Sequence, residues 1–321
     1  MGQQFPTGWQ VEWLVVDDGS SDGTAQWLAQ QAAQHPRLTV LQHEKTAPGK
    51  KGALAAGIRN ARFDRLVLTD ADCLPEPHWA HHMACALGSL AAEGGDGLDV
   101  VLGTCLPQDG SRILQFDALR VALQYAGEAA AGQAYMGVGR SLAYRGSLWE
   151  KLGGFAGHTA LAGGDDDLFV QCATTEGYRV GLCPPRREGA GTVALPAAHW
   201  REGWQRKRRH LSTAPRYRRR DQLKLGVDAA LDPLIVLTAL AGALGLLHSG
   251  GWIPLSALVL AMAVRSFTLS SFSREWGRRS FPIGDGLFLG PIRWILLASA
   301  TLRNAFTSSP TWTQRAPTSR S

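Results

Sequence analysis

Residues 66–75 read Leu66-Val67-Leu68-Thr69-Asp70-Ala71-Asp72-Cys73-Leu74-Pro75, a short apolar β-type run that delivers two carboxylates before a proline stops it. In extended backbone, side chains two apart point to the same side. Asp70 and Asp72 are therefore expected to face one ligand just beyond the end of a buried strand. Open α/β sheets place their binding crevices there, outside the carboxyl ends of the strands. Two hard oxygen donors, with no nearby His or Cys completing a set, suit Mg²⁺ or Mn²⁺ shared with a phosphate. An acidic turn after a strand is the plain alternative, since Asp is common at turns.

The chain before this stretch repeats the same arrangement. Val11–Val16 is an apolar run ending in Asp17-Asp18-Gly19-Ser20-Ser21-Asp22-Gly23-Thr24, which predicts a strand, an acidic turn and a helix over Thr24–Gln34. Carboxylates at Asp17 and Asp18 either accept hydrogen bonds from a ribose hydroxyl or a base N–H, or simply build the turn. A second strand, Leu38–Gln42, leads to a loop marked by Pro48 and Gly49, and Lys50-Lys51-Gly52 opens an Ala-rich helix over Ala53–Ala61. Helix N-termini and lysines both favour anions, so Lys50 and Lys51 are candidates for phosphate contact, with solvated loop lysines as the alternative. Arg65–Thr69 is then the third strand. Three strand–helix alternations predict a parallel, Rossmann-like sheet.

Downstream, a helix over Pro77–Leu90 groups His78, His81, His82 and Cys85 without a standard zinc spacing. A strand is expected at Val100–Thr104 and a helix at Leu114–Ala131. Tyr135–Phe155, rich in glycine and aromatics, reads as a loop-and-turn wall of a pocket. Gly163-Gly164-Asp165-Asp166-Asp167-Leu168 follows. Three adjacent carboxylates repel one another, which raises a pKa and can supply a general base. The same residues also suit the first turn of a helix running to Thr174.

The chain has 321 residues, 45 % hydrophobic and 19 % charged, with a net charge of +6. That balance allows a substantial core and favours anionic partners. Five scattered cysteines without a Cys-x-x-Cys argue against a disulfide framework or a structural zinc site. The basic residues concentrate in Trp200–Arg220, which carries Trp200 and Trp204 one helical turn apart, the pattern of a membrane-surface segment. No nucleic-acid recognition fold accompanies it. Pro233–Leu247 and Ile253–Val264 are almost wholly apolar but shorter than the ~20 residues of a full span. With their flanks, Asp228–His248 and Gly251–Thr268, they cross a membrane, or else they form a re-entrant or interfacial hairpin. Basic residues at both outer ends put both ends on the cytoplasmic side. Arg293 and Arg303 interrupt a third apolar segment, Leu287–Phe306, which reads as an amphipathic interfacial helix.

Four motifs in order, Val-Val-Asp-Asp-Gly-Ser-Ser-Asp-Gly-Thr, Lys-Lys-Gly-Ala-Leu, Thr-Asp-Ala-Asp and Gly-Gly-Asp-Asp-Asp-Leu, make the chain resemble membrane-associated family-2 glycosyltransferases of the GT-A fold. The resemblance implies an α/β, mostly parallel sheet with helices on both faces, followed by C-terminal membrane helices. It divides the chain into a catalytic domain (1–198), a basic interfacial linker (199–228), membrane-associated helices (229–306) and a mobile tail (307–321). It implies inverting transfer from a nucleotide-sugar, a UDP-sugar, to a lipid-linked or membrane-proximal glycan acceptor, at the cytoplasmic face of the inner membrane. Asp17 and Asp18 would line the nucleotide pocket, Asp70 would touch ribose and metal, and Asp72 would hold the Mg²⁺ or Mn²⁺. Asp165 would be the base, with Asp166 competing because Gly164 stands where the family has Glu. Gln205 and Arg208 match the Gln-x-x-Arg-Trp region, in which Arg209 replaces the Trp kept by processive synthases. Such enzymes also carry a strand–loop–helix unit ahead of the Val11 strand, so a start upstream of Met1 is expected. The departures motivate a second expectation, a catalytically inactive membrane scaffold or partner subunit of the same fold.

Overall fold

The acidic turn at Asp70–Asp72 lies where the chain passes from one sheet to another. This is seen in a computed structural model that describes residues 2–45, 48–88, 97–107, 110–183, 191–195, 200–247, 252–275 and 283–307. The connection at 248–251, the basic stretch 276–282 and the tail 308–321, all given roles above, lie outside the described residues.

Strand β1 (Trp13–Asp17), helix α1 (Thr24–Gln34) and strand β2 (Leu38–Gln42) follow the expected order, and β1 pairs with β2 in parallel. Helix α2 (Lys51–Asn60) packs over β1 so closely that a Cβ on Gly57 would meet Val16 at 3.1 Å. Strand β3 (Arg65–Leu68) ends before Asp70, and strand β4 (Cys73–Pro75) begins after Asp72. Helix α3 (Trp79–Ala86), strands β5 (Val100–Leu102) and β6 (Cys105–Pro107), helix α4 (Arg112–Ala130), strand β7 (Leu142–Arg145) and helix α5 (Gly146–Lys151) come next. Helix α6 (Asp167–Thr175) and strands β8 (Val180–Leu182) and β9 (Thr192–Ala194) complete the α/β part.

The pairing corrects the expectation of a mostly parallel sheet. β3, β7, β5 and β8 form one sheet in that order, with β7 antiparallel to both β3 and β5, while β4, β9 and β6 form another. Tyr135–Phe155 was expected to be only loop, yet it contains β7 and α5. A strand of four residues, with Leu142, Ala143 and Tyr144 all buried, is too short to show an alternating pattern. The expected single strand over Val100–Thr104 breaks at Gly103, where a Cβ would meet Ser141 Oγ at 1.9 Å. Only glycine lets the chain turn there from one sheet into the next.

Two cores cover the two faces of the β3–β7–β5–β8 sheet. Val100 and Leu102 pack with Phe116, Leu119 and Tyr125 of α4 and with Phe169 and Val170 of α6. Val101, between them in β5, points the other way, into Trp79, Met83 and Leu87. This alternation, with all three residues fully buried, is the two-sided covering expected of an α/β layer.

The C-terminal part is helical: α7 (Trp200–Leu211), α8 (Arg219–Leu247), α9 (Trp252–Glu275) and α10 (Ile283–Phe306). Much of the basic segment turns inward. Lys207 reaches Asp117 of α4 at 2.7 Å, and Arg208 donates to Asn304 Oδ1 at 2.9 Å and to Thr307 Oγ1 at 2.7 Å. Arg293 does not mark an interfacial face of α10. It is 4 % exposed and lies against Asp117 and Asp232, at 2.9 and 3.1 Å.

Candidate active site

One pocket gathers Lys50, Asp70, Asp72, Asp165 and Asp166 from three separate motifs, together with Gly139, Arg140, Arg206, Arg209 and His210. The elements that carry them explain the convergence. Asp70 and Asp72 sit in the turn between β3 and β4, where Cys73 N–H donates to Asp70 O at 3.2 Å. The two carboxylates share the pocket because the backbone turns, not because a strand continues through them.

Lys50 is the hub. Its Nζ donates to Asp70 Oδ1 at 2.6 Å and lies 3.1 Å from Asp165 Oδ2, so one ammonium joins the acidic turn to the acidic cluster. Burial works against its charge, but Asp165 and Asp70 outweigh that and hold its pKa well above the ordinary lysine value. The reciprocal effect appears on Asp70. Burial pushes its pKa up, Lys50 pulls it down, and the net shift is downward. Asp165 is 7 % exposed, and there burial dominates and raises its pKa despite Lys50. A carboxylate in a pocket whose pKa is raised is a stronger proton acceptor than an ordinary one, the property a general base needs.

Asp166 has other work. Its Oδ1 accepts from Asp167 N–H at the start of α6, and its Oδ2 accepts from Gly139 N–H, both at 2.8 Å. Both oxygens are thus engaged by backbone donors, and Asp166 serves as the helix N-cap. A Cβ on Gly139 would lie 3.0 Å from Lys50 Nζ and 3.2 Å from Asp165 Oδ2, so a larger residue there would push on the bridge itself. Gly164, where Glu was expected from the resemblance, has φ +95° and a Cβ there would lie 2.8 Å from Leu168 Cδ1. The backbone conformation accounts for that departure.

Asp167 ties the cluster to the segment after α7. Its Oδ2 accepts from Thr213 Oγ1 at 2.5 Å and from Tyr217 Oη, and its Oδ1 accepts from Leu168 N–H at 2.8 Å. Burial, with Asp166 beside it, raises its pKa from 3.8 to about 7. The folded state therefore favours the neutral acid. Its stabilising contribution is complete below about pH 4 and is lost as pH rises through about 7. Asp167→Asn is expected to flatten the fall in Tm across that window, measured by thermal melts from pH 4 to 8. An unchanged slope would assign the titration to another group.

Lys51 and Arg208 are not brought to the pocket, and Gln205, exposed on α7, does not line it either. Lys51 is 2 % exposed and donates to Leu161 O and, at 2.5 Å, to Gly163 O, so it pins the loop that precedes Asp165. Gly49 makes the same contact possible: it has φ +78° and a Cβ there would meet Ala162 O at 2.3 Å. Arg208 faces α10, because its guanidinium lies over the Trp204 ring on the side of α7 away from the pocket lining. Asp17 and Asp18 lie at the end of β1, outside the lining. Asp17 is 4 % exposed, with Oδ1 accepting from Ser20 N–H at 3.1 Å and Oδ2 buried without a hydrogen-bond partner, while Asp18 faces His43 Nε2 at 3.9 Å and Lys45 Nζ at 3.4 Å.

Arg206 was read only as part of the basic belt. It donates to Asp72 Oδ2 at 2.9 Å and to Glu202 Oε1 at 2.7 Å. Its spacing from Glu202, one helical turn, is visible in the sequence, but its reach to Asp72 across 134 positions is not. Arg140 and His210 likewise carried no local signal. The helical grouping of His78, His81, His82 and Cys85 yields no metal cluster: among the described residues no three His, Cys, Asp or Glu side chains are placed to hold an ion.

Comparison with known proteins agrees with the motif reading at the front of the chain. Residues 3–93 match the family model described as Glycosyl transferase family 2. The undecaprenyl-phosphate mannosyltransferase of Micrococcus luteus is 45 % identical over 67 residues, 20 % of this chain and 27 % of that protein. The dolichyl-phosphate beta-glucosyltransferase ALG5C of Trichomonas vaginalis is 36 % identical over 64 residues, 20 % of this chain and 18 % of that protein. Glycosyltransferase AglE of Haloferax volcanii is 27 % identical over 179 residues, 55 % of each chain. The chain thus spans between about a fifth and about half the length of the curated relatives it matches. The crystal structure of S. aureus TarS 1–349 overlaps 95 % of this chain and 85 % of that one, with a TM-score of 0.40 and 14 % identity, too loose a likeness to carry weight. The family-2 match thus rests on residues 3–93, and the structure around them is built of mixed sheets with helices on both faces.

Proposed function

We propose that this chain, a family-2 glycosyltransferase in its matched segment, transfers a sugar from a UDP-sugar to a lipid-linked acceptor with inversion, using Mg²⁺ or Mn²⁺, at the cytoplasmic face of the inner membrane. The supporting observation is the Lys50 bridge. It sets the acidic turn and the raised carboxylate Asp165 on two sides of one ammonium within a single pocket. An inverting displacement needs that separation, with leaving-group contacts on one side of the sugar and a proton acceptor on the other. When the acceptor is a glycan hydroxyl, Asp165 takes its proton as the oxygen bonds to the anomeric carbon; a lipid phosphate attacks through an oxygen that is already ionised. The bond from that carbon to the diphosphate breaks, and the nucleoside diphosphate leaves with the electron pair.

Asp70 and Asp72 fit a hard divalent cation. They offer carboxylate oxygens, the donor type Mg²⁺ and Mn²⁺ take, and Mg²⁺ is usually held by one or two carboxylates together with substrate phosphates. When bound, the metal would neutralise charge developing on the leaving diphosphate. Lys50, Arg140 and Arg206 supply fixed positive charge for the same diphosphate. The buried Asp17 Oδ2, which lacks a hydrogen-bond partner, suits a ligand that donates hydrogen bonds, as a uracil N–H or a ribose hydroxyl does. The lipid-phosphate names of two relatives support a lipid-linked acceptor, and the exposed apolar surface of the C-terminal helices supports work at a membrane.

The test is release of UDP from a panel of UDP-sugars by the purified full chain, with polyprenyl phosphate or a polyprenyl-linked glycan as acceptor. Turnover is expected to need the acceptor, to vanish with EDTA and to return with Mg²⁺ or Mn²⁺. Binding of no nucleotide-sugar at all would favour the inactive scaffold instead.

A further inference from the structure

We propose that the C-terminal helices hold the protein to a single leaflet and that none of them crosses the membrane. This rests on the membrane reading above and specifies its form. By length and composition, Arg219–Gly242 of α8 qualifies as a span, since an 18-residue stretch within it has mean hydropathy 1.6 and is 12 % buried. Its side-chain partners argue otherwise. Asp228 and Asp232 both pair with Arg120 of α4, the latter at 2.7 Å, and Arg293 of α10 joins them at 3.5 and 3.1 Å. Lys224 pairs with Glu128 at 2.6 Å, and Arg218 donates to Ala134 O at 2.9 Å. From its start to Asp232, α8 is therefore fastened along α4 of the catalytic part.

The other two helices are fastened in the same way. On α9, Leu269 and Phe272 pack against the main core, and Met262 and Ser266 are buried. On α10, Leu289 packs on that core, Ala300 is fully buried, and Asn304 bonds Arg208 of α7. A docked segment cannot enter hydrocarbon unless α4 goes with it, and α4 carries Arg120, Asp117 and Glu128.

The helix lengths beyond these fastenings are short. Pro233 to Leu247 runs about 22 Å and Trp252 to Ala261 about 15 Å, against a hydrocarbon core of about 30 Å. The α8 stretch has polar ends, the charged knot at its root and His248-Ser249-Gly250-Gly251 after it in the sequence. Polar ends about 22 Å apart cannot both meet water across a full bilayer, but they can when the segment lies along one face. The exposed residues suit that placement. Leu223, Val227, Leu231, Leu234, Leu237, Leu240 and Leu244 follow one another at three or four residues along α8, opposite its charged side, and Val259, Leu260, Val264 and Phe267 stand out on α9. Arg219, Arg220, Arg274 and Arg303 are exposed at helix ends, where anionic headgroups would meet them.

The experiment compares two single-cysteine forms of the full chain, one keeping Cys172, exposed on α6, and one carrying Ser249→Cys. Both are treated with a membrane-impermeant maleimide in inside-out and right-side-out vesicles. The two positions are expected to react in the same vesicle orientation and to be protected in the other. A fluorophore at Leu240→Cys is expected to be quenched by nitroxide-labelled lipid. Reaction of the two positions in opposite orientations overturns the proposal by showing a crossing. An unquenched label at 240 that instead cross-links to a second copy overturns it by showing that protein covers the stripe. If the chain stays in the soluble fraction on vesicle flotation, the membrane reading itself has failed.

Discussion

Asp165→Asn is expected to lower the rate of sugar transfer by about 10²–10⁴-fold, the usual worth of a positioned general base, while donor affinity changes little. The substitution keeps the shape of the side chain and removes its capacity to take a proton. It should not unfold the protein, because burial already disfavours the charged form there and Lys50 keeps Asp70 as its partner at 2.6 Å. Asp166→Asn is the control. It leaves one acceptor oxygen for two backbone donors, Asp167 N–H and Gly139 N–H, so its cost should appear mainly as a lower Tm. Single-turnover rates and nucleotide-sugar titrations on both variants separate the roles. A larger loss of rate in Asp166→Asn than in Asp165→Asn would exchange the assignment. The wild-type rate is also expected to rise with pH as Asp165 ionises, and that limb should be missing from the Asp165→Asn profile.

Asp72→Asn is the second large effect, a loss of about 10²-fold or more in kcat/KM, equivalent to roughly 3 kcal/mol of leaving-group stabilisation. The fold should survive because Arg206 retains Glu202 at 2.7 Å and lies partly in solvent. The variant's residual activity should no longer respond to added Mg²⁺ or Mn²⁺. Arg206→Gln should be milder, since it leaves the carboxylate free for the cation. Measuring both and the double variant gives the coupling between Asp72 and Arg206 directly. Turnover retained with Asp70 and Asp72 both replaced would overturn the assignment of the acidic turn to the donor.

Elements with a strong local signal were legible in the residues. β1, α1 and β2 follow from an apolar run, an acidic turn and a helical pattern, and their ends agree within a few residues. β7 carries too little signal because a four-residue strand with three consecutive buried residues shows no period, and the break at Gly103 is hidden because a distant neighbour, Ser141, forbids a side chain there. In the site, the two acidic groups could be named from the chain. The sequence leaves Lys51 open between phosphate contact and a solvated loop, because a lysine at a helix start looks the same whether its ammonium meets a ligand, water or, as here, the carbonyls of Leu161 and Gly163.

The sequence by itself determined the chemistry available to this protein: two acidic turns after apolar strands, a lysine pair opening a helix, a basic segment and an apolar tail. Those properties are local, written in residue type and spacing. Only the tertiary structure decided which of these groups meet. Lys50 lies between Asp70 and Asp165, Arg206 rather than Arg208 reaches Asp72, and Arg293 turns inward to Asp232 instead of outward to headgroups. A charge has no preferred partner until the fold brings one within a few ångströms and excludes water from between them.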